Sequence, residues 1–528
     1  MNRPILAVAL AAASALWAVA CQGPDSAAPR QVLVFGRGAD SVGLDAAHEE
    51  DGESFKVAEL IFDTLVQYTQ ETTDIEPGLA RSWTSREDGL VWEFALREGV
   101  QFHDGTPVDA DAVVFSLERQ RDETHPFYNV GDPYVYWISL GMSEKIESVT
   151  AAGPMQVEIR LRQPYSPLLN VLATPPFAVV SPTAAALHGE DFGSHPVGSG
   201  PFRFVEWRRD DRIILERNNE HWAGAPELER IVFRAIPDKH ARRVELEKGS
   251  IHVLDSADPE DIDAMRANPE LVVVEKAGMN VGYVAMNTTH PPLDDPRVRY
   301  AINHAIDKQT IVDQLYNGRA LKAKNPIPPT IWGYNDDVED FAHDPERARA
   351  LIAEALPGGF PEPLSFYVPS NPRPYFPNPG NIGLAIQSDL QKAGIPARID
   401  TFEWSTYLEK VRQGDHDIAM LGWIADYADP DNFLYFTLSK SNATPPASNI
   451  AMYRSDELEE LLLRGQREAN PEERARIYRT AQEIVRKDAP WVIVAHATRV
   501  AVVRANVEGF TLHPTSWRYL WKTRIGGE

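Results

Sequence analysis

Three times after residue 290, an Asp or Asn is followed by Pro and then by apolar residues at helical spacing: Asp295-Pro296, Asp344-Pro345 and Asn470-Pro471. The acidic or amide side chain can accept a hydrogen bond from the first backbone N–H groups of a helix. Proline at the first helical position lacks only an N–H that has no helical partner anyway. These pairs fix where helices begin. After Asp295 the residues Val298, Ile302, Ala305 and Ile306 share a face, and Gly318 ends the run. After Asn470 the residues Ile477, Ala481 and Ile484 do the same. A further helix is predicted over 381–393, stopped by Gly394, and strands fall between the helices at 364–368, 397–402 and 418–421. A near-continuous apolar strand, 491–495, arrives late and is followed by 500–503. This alternation specifies an α/β fold.

The first half follows a different pattern. Residues 32–35 read as a short strand and 58–65 as a helix, and 89–96 alternates, with Trp92, Phe94 and Leu96 on one face. Strand-like runs such as 231–233 and 271–274 recur between 225 and 275. At 528 residues, the chain is too long for one ordinary core, so at least two domains are expected.

The formal net charge of −25, with no run of Lys or Arg, argues against nucleic acid as a partner. The single cysteine, Cys21, excludes an intramolecular disulfide. It follows an apolar segment that begins after Arg3 and ends in Ala18-Val19-Ala20, so residues 1–20 read as an export signal. Two cleavage readings fit: an ordinary site after Ala-Val-Ala, or a lipobox in which Cys21 becomes the lipidated first residue. The position of the lone cysteine favours the second. Residues 21–30 then form a polar tether. Loss of Arg3 and of no acid takes the formal charge from −25 to −26.

Motifs of catalysis are missing. Residues 47–50 (AHEE) lack the second His of a zinc helix, and 197–200 (VGSG) lack the spacing of a nucleophile elbow. Residues 36–41 (GRGADS) follow a strand but lack the third glycine of a dinucleotide loop. The 14 histidines include no close pair suited to a metal, so no metal or cofactor is expected. A large exported α/β chain without a catalytic constellation points to a binder.

Residues 422–433, GWIADYADPDNF, carry the most specific signal. With IEPGLARSW (75–83), VQFHDG (100–105), DAVVFS (111–116), GSGPF (198–202), GYVAMN (282–287) and NPIPPTIWGY (325–334), taken in order, they make the chain resemble the solute-binding proteins of bacterial peptide ABC importers, most closely the dipeptide-binding members. The resemblance implies two α/β lobes joined by two hinge crossings, near 278–287 and 495–503. The first lobe would span 31–280 with a subdomain at about 56–190, and the second 285–495. Residues 496–528 would return to the first lobe.

The same resemblance implies that Asp426 holds the α-ammonium of a peptide and that Arg373, within NPRPY (371–375), holds its carboxylate. A carboxylate suits a compact three-donor cation, and a guanidinium can take both carboxylate oxygens at once. Two fixed charges also measure length. One residue spans at most about 3.6 Å, so anchors set for a dipeptide do not suit a pentapeptide. Tyr375, Trp404, Trp423 and either Tyr134 or Tyr136 would form the walls; ordinary core packing is the alternative for each. Asp429-Pro430 reads as turn chemistry, and Asp431 as a ligand of local backbone amides. The acids of EEDGES (49–54) fit either a preference for cationic side chains or solvated rim charges.

The expected partners are a short peptide and the permease subunits of an inner-membrane importer, met by a monomer in the periplasm or cell envelope. Longer peptides, haem or 5-aminolevulinate, nickel chelates and oligosaccharides are the competing ligands. An exported hydrolase with paired acids, and a chaperone-like or adhesive envelope protein, are the competing classes.

Overall fold

The computed structural model describes residues 31–515 and 518–527; the signal segment and Cys21 lie outside the described residues. One long sheet path organises the chain. At one end, Phe202–Arg208, Arg212–Arg217, Arg230–Ala235, Val32–Arg37 and Val253–Asp255 lie side by side. At the other end, Ala397–Phe402, Leu364–Pro369, Ile418–Ile424 and Asn280–Met286 do so. The strand Trp491–Arg504 joins them. Its first part pairs with Asn280–Met286, and its second part pairs with Leu271–Ala277 and Val253–Asp255. The molecule is therefore a two-lobed α/β protein in which each lobe has its own apolar cluster.

The chain crosses between the lobes twice, and the crossings touch. Asn280 donates from Nδ2 to the Ala497 carbonyl and accepts the Ala497 N–H at Oδ1, both at 2.8 Å. Gly278 is required beside them, because a Cβ there would lie 2.3 Å from the Ala497 carbonyl oxygen. A four-stranded antiparallel sheet, Ala80–Arg86, Val91–Leu96, Gln156–Leu161 and Ile146–Gly153, forms a separate layer of the first lobe, with the helix Ala110–Arg121 packed on it.

The Asp/Asn-Pro pairs start helices as the sequence indicates. Asp295 accepts from the Arg297 N–H, Asp344 from that of Arg347, and Asn470 from those of Glu472 and Glu473. The run toward Gly318 is two helices rather than one, Pro296–Ala305 and Lys308–Leu315. Ile306 is extended, and Asp307 accepts from the Thr310 N–H. An aspartate inside an apolar period offers the backbone a competing acceptor, and here it restarts the helix. The helix expected at 58–65 is Gly52–Ile61, because Asp51 caps it by accepting from the Ser54 N–H. The apolar faces then close the core: Val298 and Ile302 from one helix and Ile382, Ile386 and Leu390 from another are buried in one cluster with Phe366, Val368 and Met420.

Candidate ligand-binding site

Leu364–Pro369 runs parallel to both Ala397–Phe402 and Ile418–Ile424. Their C-terminal ends therefore open on the same edge of the sheet, where ligands of α/β sheets characteristically bind. The segments leaving these ends carry Arg373 and Tyr375, then Trp404 at the start of the helix Trp404–Gln413, then Asp426. Parallel pairing thus gathers residues that lie up to 53 positions apart (426 minus 373) in the sequence.

Asp426 faces the first lobe. Tyr136, on the helix Val135–Ser139, donates its hydroxyl to Asp426 Oδ1 at 2.6 Å. Asn432 Nδ2 approaches Oδ2 at 3.4 Å. Both partners are neutral. Asp426 opens on a narrow space of about 30 Å³, also lined by Glu59, Thr64, Gln67, Tyr68, Thr174 and Tyr519. That volume holds about one or two waters. Desolvation there pushes the carboxyl up to about 6, and the hydrogen bonds from Tyr136 and Asn432 offset it only in part. Burial, then the charges of Asp426, Glu50 and Asp51, keep the Tyr136 phenol protonated.

Arg373 does not line this space. Its backbone closes a tight loop with Phe376 through two 2.9 Å hydrogen bonds. Its guanidinium lies over the Trp404 indole, 3.3 Å from the ring centre. Its Nε is buried without an acceptor among the described residues. A stacked, half-buried guanidinium with a donor to spare is chemically prepared for a planar anion. Trp404 is stacked in turn against Tyr407.

The remaining aromatics divide. Tyr136 reaches Asp426, whereas Tyr134 is packed into the first lobe, stacked on His48 with its hydroxyl on the Phe127 carbonyl at 2.9 Å. Tyr375 is buried against Gly422, and its carbonyl accepts from Tyr316. Trp423 packs on Phe436 and donates from Nε1 to Asn432 Oδ1 at 2.8 Å. Gly422 has no room for a side chain: a Cβ would meet the Tyr375 ring at 2.4 Å and the Val281 carbonyl oxygen at 2.5 Å. We expect Gly422→Ala to cost about 1–3 kcal/mol through overpacking, read as a lower thermal midpoint; an unchanged midpoint would contradict this packing.

The two later aspartates depart from the sequence expectation. Asp429 is the cap of another Asp-Pro helix, Pro430–Leu438, and both its oxygens are held by Arg474 at 3.0 Å. Its pattern is the one at Asp295 and is legible in the sequence. Asp431 binds side chains rather than local amides, accepting from Gln466 Nε2 at 2.9 Å and from the Tyr427 hydroxyl at 3.2 Å. Burial, then the neighbouring Asp429, push its carboxyl up to about 6. Tyr427 itself is inserted into the apolar cluster of the first lobe, and the Ala428 N–H donates to the Tyr68 hydroxyl at 3.3 Å. Tyr427 and Asn432 lie within the 422–433 stretch, but their roles appear only on folding, when Tyr427 enters the first-lobe cluster and Asn432 bonds Trp423 and Asp426.

The EEDGES segment is partly structural. Asp51 caps a helix, and Glu53 is bonded to Lys56 at 2.7 Å. Burial, then Asp51 and Asp45, push Glu49 up to about 7.

The sequence model for bacterial extracellular solute-binding proteins, family 5, matches residues 74–445. The chain is 35% identical to the dipeptide-binding protein of Escherichia coli over 467 residues, 86% of this chain and 87% of that one. It is also 35% identical to the heme-binding protein A of Haemophilus influenzae over 501 residues, 92% of this chain and 91% of that one. Among solved structures, the periplasmic binding protein DppA of Helicobacter pylori in complex with the peptide STSA superposes with a TM-score of 0.84 at 36% identity, covering 94% of this chain and 98% of that one.

Proposed function

From the premise that this chain belongs to the family 5 bacterial extracellular solute-binding proteins, we propose that it captures dipeptides between its lobes for delivery to an ABC permease. Asp426 takes the peptide ammonium and Arg373 the carboxylate. The observation that carries this is the state of Asp426: a desolvated carboxylate at the lobe junction whose side-chain partners, Tyr136 and Asn432, are both neutral. Such a group is stabilised most by a ligand that brings a cation with several N–H donors. Arg373, with its free Nε and its stack on Trp404, supplies the opposite charge on the same sheet edge.

The small space at Asp426 is the closed arrangement of the lobes. A dipeptide enters only when they part, and its contacts to both lobes then favour closure. No bond is made or broken. Trp423, Trp404, Tyr375 and Tyr136 bound the site, and Tyr134 supports it from within the first lobe. The same reading makes residues 1–20 an export signal and Cys21 the lipid-bearing first residue of the mature chain.

Isothermal calorimetry with a free dipeptide, its N-acetyl form and its C-terminal amide tests the two anchors separately. Each blocked peptide is expected to bind at least about a hundredfold more weakly than the free one, since each leaves a buried charge unpaired. An N-acetyl dipeptide that binds as tightly as the free peptide would remove the amine anchor from the proposal. Equal binding of the amide would do the same for Arg373. The haem-binding relative supplies the second ligand to assay, by absorbance titration of haem.

A further inference from the structure

Capture of a peptide ammonium requires Asp426 to be held ready while the lobes are apart. Resting on the peptide reading, we infer that Asn432 is the positioning residue of the anchor: it fixes the direction of the Asp426 carboxylate and keeps it in the charged form that meets a ligand cation.

Asn432 lies in the helix Pro430–Leu438 and is 1% exposed. Its Oδ1 accepts two N–H donors, Trp423 Nε1 at 2.8 Å and the Asp426 backbone N–H at 3.1 Å. Two N–H groups on one atom identify that atom as the oxygen, so the amide NH₂ must face the other way. It faces Asp426 Oδ2 at 3.4 Å. Asn432 thus grips Asp426 at both its backbone and its carboxylate, and Trp423 grips Asn432.

The other side chain on the carboxylate is Tyr136. It belongs to the first lobe and departs when the lobes separate. Asn432, Trp423 and Asp426 all belong to the second lobe and move together. The titratable groups that face Asp426 from neighbouring elements are Tyr136, backed by Glu50 and Asp51, with Glu59, Tyr68 and Tyr519 around the cavity. None of these is a cation. Among the described residues, the amide of Asn432 is therefore the side-chain donor that the second lobe itself offers to the ionised carboxylate. After the bond from Tyr136, it is the next largest offset to the burial that raises Asp426.

Asn432→Asp is the discriminating variant. It keeps an oxygen for both N–H donors and the shape of the side chain, and replaces only the amide NH₂ by a second carboxylate oxygen. The titration of Asp426 is followed by carboxyl ¹³C NMR in the full mature protein without peptide, with the signal assigned by its loss in Asp426→Asn. We expect the midpoint to rise by about one pH unit or more, as for like charges in contact. We also expect dipeptide affinity at pH 6 to fall about fivefold and to recover as the pH is raised above the new midpoint. Trp423→Phe, which lets the amide rotate without adding charge, is expected to raise the midpoint by less. If Asn432→Asp does not fold, Trp423→Phe carries the test. An unchanged Asp426 midpoint in the folded variants overturns the positioning role. That readout uses no peptide, so a parent protein that binds no dipeptide would sink the peptide reading and not this one.

Discussion

Replacing Asp426 by asparagine is expected to weaken dipeptide binding by at least about a hundredfold at pH 7.5 while making the peptide-free protein more stable. The two effects have one cause. Removing one partner of a desolvated, hydrogen-bonded charge pair typically costs about 2–5 kcal/mol of binding, and about 1.4 kcal/mol is a factor of ten. In the closed arrangement without ligand, the same carboxylate is a liability, because its removal from water there pushes it from the ordinary 3.8 up to about 6. The native state holds the proton more tightly than the unfolded chain, so this group favours folding below about pH 4. That contribution is lost as pH rises toward 6. At pH 7.5 the ionised group therefore destabilises the peptide-free protein, and the neutral isostere should recover about 1–3 kcal/mol, seen as a higher thermal midpoint.

Peptide affinity of the parent runs the other way. It should be flat above pH 6 and fall about tenfold per unit below it, as the anchor takes up a proton. The asparagine variant should show no such slope. Calorimetry from pH 5 to 8 on both proteins reads all of this. A parent with flat affinity across that range, or a variant that binds like the parent, would exclude Asp426 as the anchor.

The second large effect is structural. Arg474 and Asp429 form a two-pronged pair at 3.0 Å, with side chains only 8% and 0% exposed. Arg474 also donates from Nε to the Gly465 carbonyl at 2.8 Å. Asp429 meanwhile caps the helix that presents Asn432 to Asp426. Arg474→Met leaves a buried carboxylate without its cation. We expect a loss of about 3–5 kcal/mol, or a fall on the order of 10 °C in the thermal midpoint of the second lobe. The double variant Arg474→Met/Asp429→Asn should recover much of it, because Asp429 is then no longer a buried charge without its cation. A single variant within 1 °C of the parent would show that the pair contributes nothing net.

Much of the fold is legible in the sequence because helix starts, apolar periods and strand runs are local. Asp295-Pro296, Asp344-Pro345 and Asn470-Pro471 cap helices through bonds to residues two or three positions away, and no distant partner is needed. Boundaries fail where a local signal has two possible roles. Asp307 reads as part of a helix but restarts one, and Asp51 reads as rim charge but caps the helix Gly52–Ile61. Asp429-Pro430 reads as a turn, although it matches the three Asp/Asn-Pro helix starts and proves to be another.

Resemblance to the peptide-binding proteins names the two residues of opposite charge proposed to meet a peptide's ends, whereas the sequence alone determined the α/β alternation and the helix starts. It could do so because hydrogen bonds and side-chain periods within one element depend only on near neighbours. Tertiary structure alone decided that Tyr136 rather than Tyr134 reaches Asp426, that Arg373 lies against Trp404, and that Asn432 joins Trp423 to the anchor. Those contacts arise from parallel strands ending at one edge and from one lobe closing on the other, and the desolvation that tunes Asp426 exists only where the two surfaces meet.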